Sequence, residues 1–111
     1  MLARTQVISS SPRAVAWLVV VKGRNTGRDI RLGRINAIGR EGMQNTIVLD
    51  DSAASALHAK IRLERGRFVL YDLGSTNGTF VNGRPAQKQT LMDGDEVAIG
   101  HTLFVFKEVR R

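Results

Sequence analysis

The chain has 111 residues, a length that suits one domain built around a single hydrophobic core. Hydrophobic residues make up 42% of it and charged residues 24%, which is the composition of a folded globular domain and excludes an intrinsically disordered chain. Cysteine is absent, so disulfides, thiolate metal sites and thiol nucleophiles are excluded. A reducing compartment, the cytoplasm, is the expected location.

The charge of the chain is strongly basic. Seventeen Lys and Arg residues against ten Asp and Glu residues give a formal net charge of +7. Such a surface attracts acidic or phosphate-bearing partners, including nucleic acid, but a basic excess also serves solubility alone. The charge therefore narrows the class of partner without identifying it.

The chain begins with a polar segment followed by an apolar one. Residues 1–13 contain Ser9–Ser11 and Pro12, which predicts a flexible N-terminal tail before a domain over residues 14–111. The apolar run at residues 14–21, AVAWLVVV, is too short to span a bilayer and is not followed by a signal-peptide cleavage pattern. We interpret this run as a buried first strand and expect no membrane span.

Short apolar runs with a period of two, separated by glycine or polar turns, continue through the rest of the chain. In HAKIRLE, Ala59, Ile61 and Leu63 alternate with the polar residues from His58 to Glu64, which predicts one core face and one solvent face. The pattern is typical of an all-β fold, and we predict a twisted β-sandwich of about ten to eleven strands without a substantial helix. The predicted core comprises Trp17, Val19, Val21, Ile30, Leu32, Ile47, Leu49, Ile61, Leu63, Phe68, Leu70, Ile99 and Phe104.

Two Asn-Gly pairs, Asn77-Gly78 and Asn82-Gly83, lie on either side of the short segment at residues 79–81. Asparagine and glycine tolerate positive φ and form the tight turns whose twist matches that of the flanking strands. Both pairs are therefore predicted to form hairpin turns.

Three polar clusters next to predicted strands carry groups that can bind phosphate. They are Gly39-Arg40, the segment Ser55–His58 and the segment Gly74–Thr79. The guanidinium of an arginine offers a planar set of donors that can bind two phosphate oxygens at once, and hydroxyls or backbone amides can complete the shell. Together these clusters predict a phosphate-binding site that needs neither a helix nor a metal.

The order of these clusters resembles the forkhead-associated (FHA) domain family, whose pattern is Gly-Arg, then Ser-x-x-His, then Ser-Thr-Asn-Gly-Thr followed by Asn-Gly. The resemblance covers roughly residues 14–109. Further matches are Ala59, Ile61, Asp72-Leu73-Gly74, Leu91, Gly94-Asp95, Ile99-Gly100 and Phe104. The resemblance implies an FHA-type β-sandwich (FHA/SMAD-like) that recognises a phosphothreonine peptide of a partner protein in Ser/Thr kinase signalling.

The resemblance also implies the residues that contact the phosphopeptide. Arg40 corresponds to the family's phosphate-binding arginine, and Ser55 corresponds to its phosphate-binding serine. Thr76 is expected to contact the phosphothreonine, and Asn77 is expected to hydrogen-bond the peptide backbone just after it.

Three further positions match residues that support the binding loops in the family, and two positions depart from the family pattern. Gly39, His58 and Gly78 match residues with a structural role in the binding loops. Ala56 follows the serine where the family often has arginine, asparagine or another polar residue, which removes one possible phosphate contact. Ala53, two residues before the serine, offers no charge for reading an acidic side chain of the peptide.

An enzyme is not expected. Ser55, His58 and Asp72 are the residue types of a hydrolase triad, but the serine lies three residues from the histidine and no G-x-S-x-G elbow is present. Two histidines without cysteine or a carboxylate cluster give no metal site, and GRNTGRD lacks the Gly-Lys-Ser/Thr ending of a P-loop. We therefore expect no catalytic residues, no metal and no cofactor.

Two alternatives to phosphopeptide binding stay open at this point. The first is a phosphate-independent interaction or oligomerisation scaffold with an FHA fold, which pairs through a sheet face or edge and for which Ala56 is the chief support. The second is nucleic-acid binding, which is disfavoured because aromatic residues make up only 5% and Trp17, Phe104 and Phe106 are expected in the core. The expected partner is thus a phosphothreonine-containing protein and no specific nucleic acid.

Overall fold

The computed structural model describes residues 14–110, so the predicted flexible tail over residues 1–13 lies outside the described residues. Between residues 14 and 110 the chain forms eleven strands in two sheets and no helix, which confirms the predicted all-β sandwich. Accordingly, this part of the chain contains no helix that could cross a membrane.

The strands form one larger and one smaller sheet. The eleven strands are β1 (Ala14–Lys22), β2 (Asp29–Arg31), β3 (Ile35–Gly39), β4 (Ile47–Val48), β5 (Ala59–Glu64), β6 (Arg67–Asp72), β7 (Thr79–Val81), β8 (Arg84–Pro85), β9 (Lys88–Thr90), β10 (Glu96–Ile99) and β11 (Thr102–Arg110). The six-stranded sheet has the order β2-β1-β11-β10-β7-β8, and the five-stranded sheet has the order β4-β3-β5-β6-β9. Neighbouring strands are antiparallel except for β3 and β4, which are parallel.

The hydrophobic core lies between the two sheets. Phe104 and Phe106 of β11 are completely buried, and the Phe106 ring packs edge-on against Phe68 of β6 with 5.8 Å between the ring centroids. Most of the predicted core residues are buried, namely Leu32, Ile47, Leu49, Ile61, Phe68, Leu70, Ile99 and Phe104. Ile30 and Leu63 are partly buried and pack against this core.

The prediction of which β1 residues face the core was wrong. Leu18 and Val20 are buried, whereas Trp17 and Val19 are only partly covered and Val21 is 43% exposed. Successive side chains of a strand point to opposite faces of the sheet. If the wrong alternate set is assigned to the core, every side chain of the strand is therefore assigned to the wrong face. Both faces of AVAWLVVV are apolar, and a period of two therefore could not distinguish them.

The two Asn-Gly pairs behave differently. Asn82 and Gly83 both have positive φ, 52° and 81°, and they form the predicted hairpin turn between β7 and β8. For the Asn77-Gly78 pair the prediction was wrong, because only Gly78 has a positive φ, 86°, and the pair lies between β6 of the smaller sheet and β7 of the larger one. This pair therefore belongs to a connection between sheets and not to a hairpin.

Strand pairing brings three loops to one end of the sandwich. Ile38 of β3 pairs with Ala59 of β5, and Ala59 pairs with Asp72 of β6. The loops that follow β3, precede β5 and follow β6 therefore meet at one edge of the smaller sheet. They are the β3–β4 loop (residues 40–46), the β4–β5 loop (residues 49–58) and the β6–β7 loop (residues 73–78). These loops contain or adjoin the three predicted phosphate-binding clusters.

Candidate functional site

The β3–β4 and β4–β5 loops approach each other closely at Gly39, the last residue of β3. A β-carbon at this position would lie 2.2 Å from the carbonyl oxygen of Ala56, so the approach requires a residue without a side chain. Just beyond it, the backbone N–H of Arg40 donates to the Ser55 carbonyl (3.0 Å), and that of Glu41 donates to the Ala56 carbonyl (3.2 Å). The two loops are thus joined by a short ladder of backbone hydrogen bonds.

The side chain of Arg40 is held at one nitrogen. Its Nε donates a hydrogen bond to the Ala54 carbonyl (3.1 Å), while the residue itself is exposed. Its two terminal amino groups have no hydrogen-bond partner among residues 14–110. A guanidinium anchored in this way presents two donor nitrogens to solvent, the arrangement in which arginine binds two oxygens of one phosphate.

Ser55 joins the β4–β5 loop to the β6–β7 loop. Its Oγ accepts a hydrogen bond from the backbone N–H of Thr76 (3.0 Å). A hydroxyl that accepts one hydrogen bond still has its own hydrogen to donate. The Ser55 hydroxyl can therefore donate to an anion placed next to Thr76, whose side chain is exposed.

Asn77 makes a second connection between the same two loops. Its Nδ2 donates to the Ala53 carbonyl (2.9 Å), and the residue is exposed. The side-chain carbonyl oxygen of Asn77 has no hydrogen-bond partner within the described residues. This oxygen can accept a hydrogen bond from the backbone N–H of an extended peptide.

His58 is completely buried beneath the two loops. Its Nδ1 accepts from the backbone N–H of Ser55 (3.0 Å), so Nε2 carries the proton and donates to the Gly78 carbonyl (2.9 Å). The alternation in HAKIRLE had placed His58 on the solvent face, which was wrong because β5 begins only at Ala59. The imidazole therefore bridges two loops.

The carboxylate of Asp72 organises the start of the β6–β7 loop. It accepts hydrogen bonds from the backbone N–H groups of Gly74 (3.0 Å) and Ser75 (3.1 Å), and from the hydroxyls of Ser75 (2.5 Å) and Thr79 (2.7 Å). Burial acts to raise the pKa of Asp72, but these hydrogen bonds outweigh it and lower the pKa below its ordinary value of 3.8. The loop is therefore held by an ionised carboxylate.

Asn45 is a supporting residue that the sequence did not suggest. It is 8% exposed, and its Nδ2 donates to the carbonyls of Glu41 (2.7 Å) and Ala56 (2.7 Å). It thereby fixes the β3–β4 loop to the β4–β5 loop beside Arg40. No local pattern marks Asn45, since one of its partners lies in a different loop.

Asp51 is a second residue that the sequence analysis missed. Its carboxylate accepts from the backbone N–H groups of Ala53 (3.0 Å) and His101 (2.8 Å) and from the Thr102 hydroxyl (2.6 Å). Burial acts to raise its pKa, but the hydrogen bonds prevail and lower it. An aspartate that accepts from the N–H two residues later is a known turn pattern, and this signal could have identified Asp51.

A surface cavity of about 230 Å³ lies beside the β4–β5 loop. It is lined by Arg24, Asp50, Asp51, Ser52, His101 and Thr102. The cavity does not include Arg40, Ser55 or Thr76. The groups that can bind phosphate therefore lie on an open loop surface, which an extended peptide can reach.

Backbone and side-chain hydrogen bonds connect the predicted site residues into one cluster. Its members are Gly39, Arg40, Ser55, His58, Thr76, Asn77 and Gly78. Ala56 takes part only through its carbonyl, which accepts from Glu41 and Asn45, while its methyl side chain offers no donor to a ligand. The cluster thus joins one anchored guanidinium, two hydroxyls and one side-chain amide at the meeting point of three loops.

A family model for the FHA domain matches residues 36–100 of the chain. The matched region runs from within β3 to just after β10 and contains all three loops. It therefore covers every residue of the cluster.

Two relatives that are similar in sequence to this chain have the names of regulatory proteins. The oxoglutarate dehydrogenase inhibitor of Corynebacterium efficiens is 39% identical over 95 residues, which cover 86% of this chain and 67% of that protein. The glycogen accumulation regulator GarA of Mycolicibacterium smegmatis is 39% identical over 99 residues, which cover 89% of this chain and 63% of that protein. The chain thus spans about two thirds of the length of these relatives.

A solved structure from a study of phosphothreonine-dependent FHA domain interactions has the same fold. It is 35% identical in sequence and superposes with a TM-score of 0.76, covering 84% of this chain and 95% of its own. The family model, the relatives and the solved structure agree on the family, and the solved structure has the sandwich fold. The chain therefore belongs to the FHA domain family.

Proposed function

We propose that the chain recognises phosphothreonine in a partner protein and so converts the action of a Ser/Thr kinase into a protein–protein association. The observation that carries this proposal is the Arg40 guanidinium, which is fixed through Nε to the Ala54 carbonyl and has two unpartnered terminal nitrogens within the described part of the chain. It lies where the loops meet, in the loop whose backbone pairs with that of Ser55. The phosphothreonine-dependent interactions of the similar FHA structure support the same function.

The chemistry of the cluster matches that of a phosphorylated threonine. Phosphate on threonine carries about −1.5 to −2 charges near neutral pH and three strong acceptor oxygens. Arg40 supplies two donors with a positive charge, and the Ser55 hydroxyl supplies a third donor. Each bond to the anion is charge-assisted, and such bonds are stronger than bonds between neutral groups.

The β6–β7 loop provides the contacts that distinguish a peptide from free phosphate. Thr76 donates its backbone N–H to Ser55 Oγ, and we assign its side chain a contact to the phosphothreonine. We assign the side-chain carbonyl oxygen of Asn77, whose Nδ2 is bound to the Ala53 carbonyl, a hydrogen bond from the backbone N–H that follows the phosphothreonine. The proposed ligand is therefore a phosphopeptide bound in an extended conformation across the loops.

The proposed role is regulatory and not enzymatic. The matching relatives carry the names of an enzyme inhibitor and a regulator of glycogen accumulation, and the chain has their FHA domain in common. The groups of its site suit the binding of a phosphate, and we assign it no nucleophile and no cofactor. We place its action in the cytoplasm, because a chain without cysteine suits a reducing compartment.

Matched peptides test the proposal. A library of phosphothreonine peptides identifies a ligand, and calorimetry then compares it with the same peptide carrying threonine in place of phosphothreonine. Since several charge-assisted hydrogen bonds are lost together, the unphosphorylated peptide should bind at least roughly a hundredfold more weakly. Equal affinity for both peptides would contradict the proposal and favour the phosphate-independent scaffold.

A further inference from the structure

The outer face of the six-stranded sheet is apolar. Side chains of β1 and β11 alternate between buried and partly exposed, so one set of each strand points away from the core. The outward set includes Val15, Trp17, Val19, Phe80, Leu103 and Val105, which we call the apolar face. At its margins Val21 is 43% and Val109 is 60% exposed.

The outer face of the five-stranded sheet shows what a solvated face of this molecule looks like. Its outward positions on β5, β6 and β9 include Lys60, Arg62, Tyr71 and Lys88. The Tyr71 ring lies between two ammonium groups, 5.6 Å from that of Lys60 and 5.7 Å from that of Lys88. Antiparallel sheets with one wet face carry polar residues there, so the apolar face departs from this rule and indicates a covered surface.

The charges beside the apolar face form two rows of opposite sign. Arg31 on β2 and Lys107 on β11 are the cross-strand neighbours of Trp17. In the next outward row, Asp29 on β2 is the neighbour of Val19, and Glu96 on β10 is the neighbour of Val105. None of these four charged side chains forms an ion pair within residues 14–110.

This arrangement is complementary to itself. Consider a two-fold axis that lies in the plane of the interface and runs between the two rows, parallel to them. This axis places the basic row of one copy against the acidic row of the other. Arg31 then faces Asp29 of the second copy, and Lys107 lies within reach of Glu96 of the second copy. We propose that two copies of this chain associate face to face through the apolar face, with these four charges paired twice across the two-fold axis.

The area of the apolar face suits a dimer of low affinity. Neighbouring strands about 4.8 Å apart and outward rows about 6.6 Å apart give an apolar face on the order of 500 Å² in projection. A stable specific interface buries about 800 Å² on each partner, which the face reaches only together with its charged rim. We therefore expect association that depends on protein concentration.

A second copy explains the charges better than the N-terminal segment does. Residues 1–13 contain Arg4 and Arg13 but no acidic residue, so they offer no partner for Arg31 or Lys107. The segment has apolar side chains, among them Leu2, Val7 and Ile8, but only a second copy supplies charges of both signs for the two rows.

Sedimentation equilibrium of the full chain over a range of concentrations tests the proposal. The wild-type chain should approach twice its monomer mass below about 1 mM, the range expected for a small interface. Val105→Lys, at the centre of the face, should raise the dissociation constant at least roughly tenfold because it buries a charge against valines. Thr90→Lys adds the same charge to the outer face of the other sheet and should leave the dissociation constant unchanged.

Charge exchange within β2 tests the two-fold arrangement itself. Arg31→Glu should weaken association roughly tenfold, because it replaces two ion pairs by two repulsions. Adding Asp29→Arg to that variant should restore association, since positions 31 and 29, which face each other across the two-fold axis, again carry opposite charges. Circular dichroism and unchanged phosphopeptide affinity show that each variant is folded. A monomer at every concentration, a dimer insensitive to Val105→Lys, or no recovery in the double exchange would overturn the proposal.

Discussion

At the scale of single residues, Arg40 differs from the other arginines of residues 14–110 in how it is held. Its Nε is fixed to the Ala54 carbonyl, and its backbone N–H is fixed to the Ser55 carbonyl. Part of the rotamer freedom that an arginine loses on binding is therefore already lost in the free protein. Pre-organisation of this kind favours affinity. We therefore expect phosphopeptide affinity to depend strongly on Arg40.

Arg40→Ala should weaken phosphopeptide affinity by roughly ten- to a hundredfold, because charge-assisted hydrogen bonds to the phosphate are lost. The thermal midpoint should stay nearly unchanged, since the side chain is exposed and its single hydrogen bond within residues 14–110 goes to the Ala54 carbonyl. Ser55→Ala should cause a smaller loss of affinity, as one neutral hydroxyl is removed. Calorimetry and thermal unfolding measure the two effects.

The control for this prediction is Arg62→Ala, which removes the same charge from the outer face of β5. Arg62 belongs to none of the three loops, so its loss changes only the general field of the molecule. If both variants weakened phosphopeptide binding equally, the attraction would be one of net charge, and the specific role of Arg40 would be wrong.

At the scale of structural elements, the site depends on how two loops pair. The β3–β4 and β4–β5 loops share backbone hydrogen bonds at Arg40 and Glu41, and the side chain of Asn45 crosses between them. Gly39 permits this pairing because the Ala56 carbonyl occupies the space of a β-carbon. The position of the Arg40 guanidinium is therefore set in part by Gly39 and Asn45, to which no ligand contact is assigned.

Gly39→Ala should separate the two loops, because its β-carbon would lie 2.2 Å from the Ala56 carbonyl oxygen and 2.8 Å from Asn45 Nδ2. Overpacking of this kind costs about 1–3 kcal/mol of stability, and displacing Arg40 should weaken phosphopeptide binding as well. Urea unfolding and calorimetry measure both losses. Gly42→Ala is the matched control in the same loop, since a β-carbon there has no neighbour within 4 Å. Equal effects of the two substitutions would show that loop stiffness, and not the close approach, matters.

At the scale of the whole molecule, the fold could be predicted from the sequence. The side of β1 that faces the core could not. Alternation in β5 distinguishes its two faces because one set is polar. In β1 both sets are apolar, so Leu18 and Trp17 could not be assigned to opposite sides without the partner strand. As a result Trp17 points away from the core, where it is partly covered, and belongs to the apolar face.

Much of the candidate site could also be predicted, including the supporting Gly39, His58 and Gly78, but its long-range contacts could not. The predicted site residues fall in a recognisable order along the chain, whereas Asn45 and Asp51 also act through residues distant in sequence. Asp51 accepts from His101, 50 residues away, and no local pattern encodes such a contact. The burial of His58 likewise follows from a strand that begins one residue later than the alternation implied.

Two carboxylates hold the loop end of the molecule, and both titrate below their ordinary range. Asp51 ties the β4–β5 loop to the turn before β11, and Asp72 holds the start of the β6–β7 loop. The pKa of each lies below its ordinary value of 3.8, because hydrogen bonds to the ionised form outweigh burial. Between the folded and unfolded pKa values, the unfolded chain therefore binds more protons than the folded chain.

The stability of the domain should consequently fall with decreasing pH below about 3.8 and be nearly constant, as far as these two groups determine it, above about pH 5. The stabilisation by these groups is present above the unfolded pKa and is lost as the pH falls through the folded pKa. Asp72→Asn should lower stability at pH 7, because an amide nitrogen would meet donors where an oxygen now accepts, and should flatten the acid slope. Glu41→Gln, an exposed change in the β3–β4 loop, is the control. Urea unfolding at a series of pH values measures both slopes, and an unaltered acid slope in Asp72→Asn would show that another group governs acid unfolding.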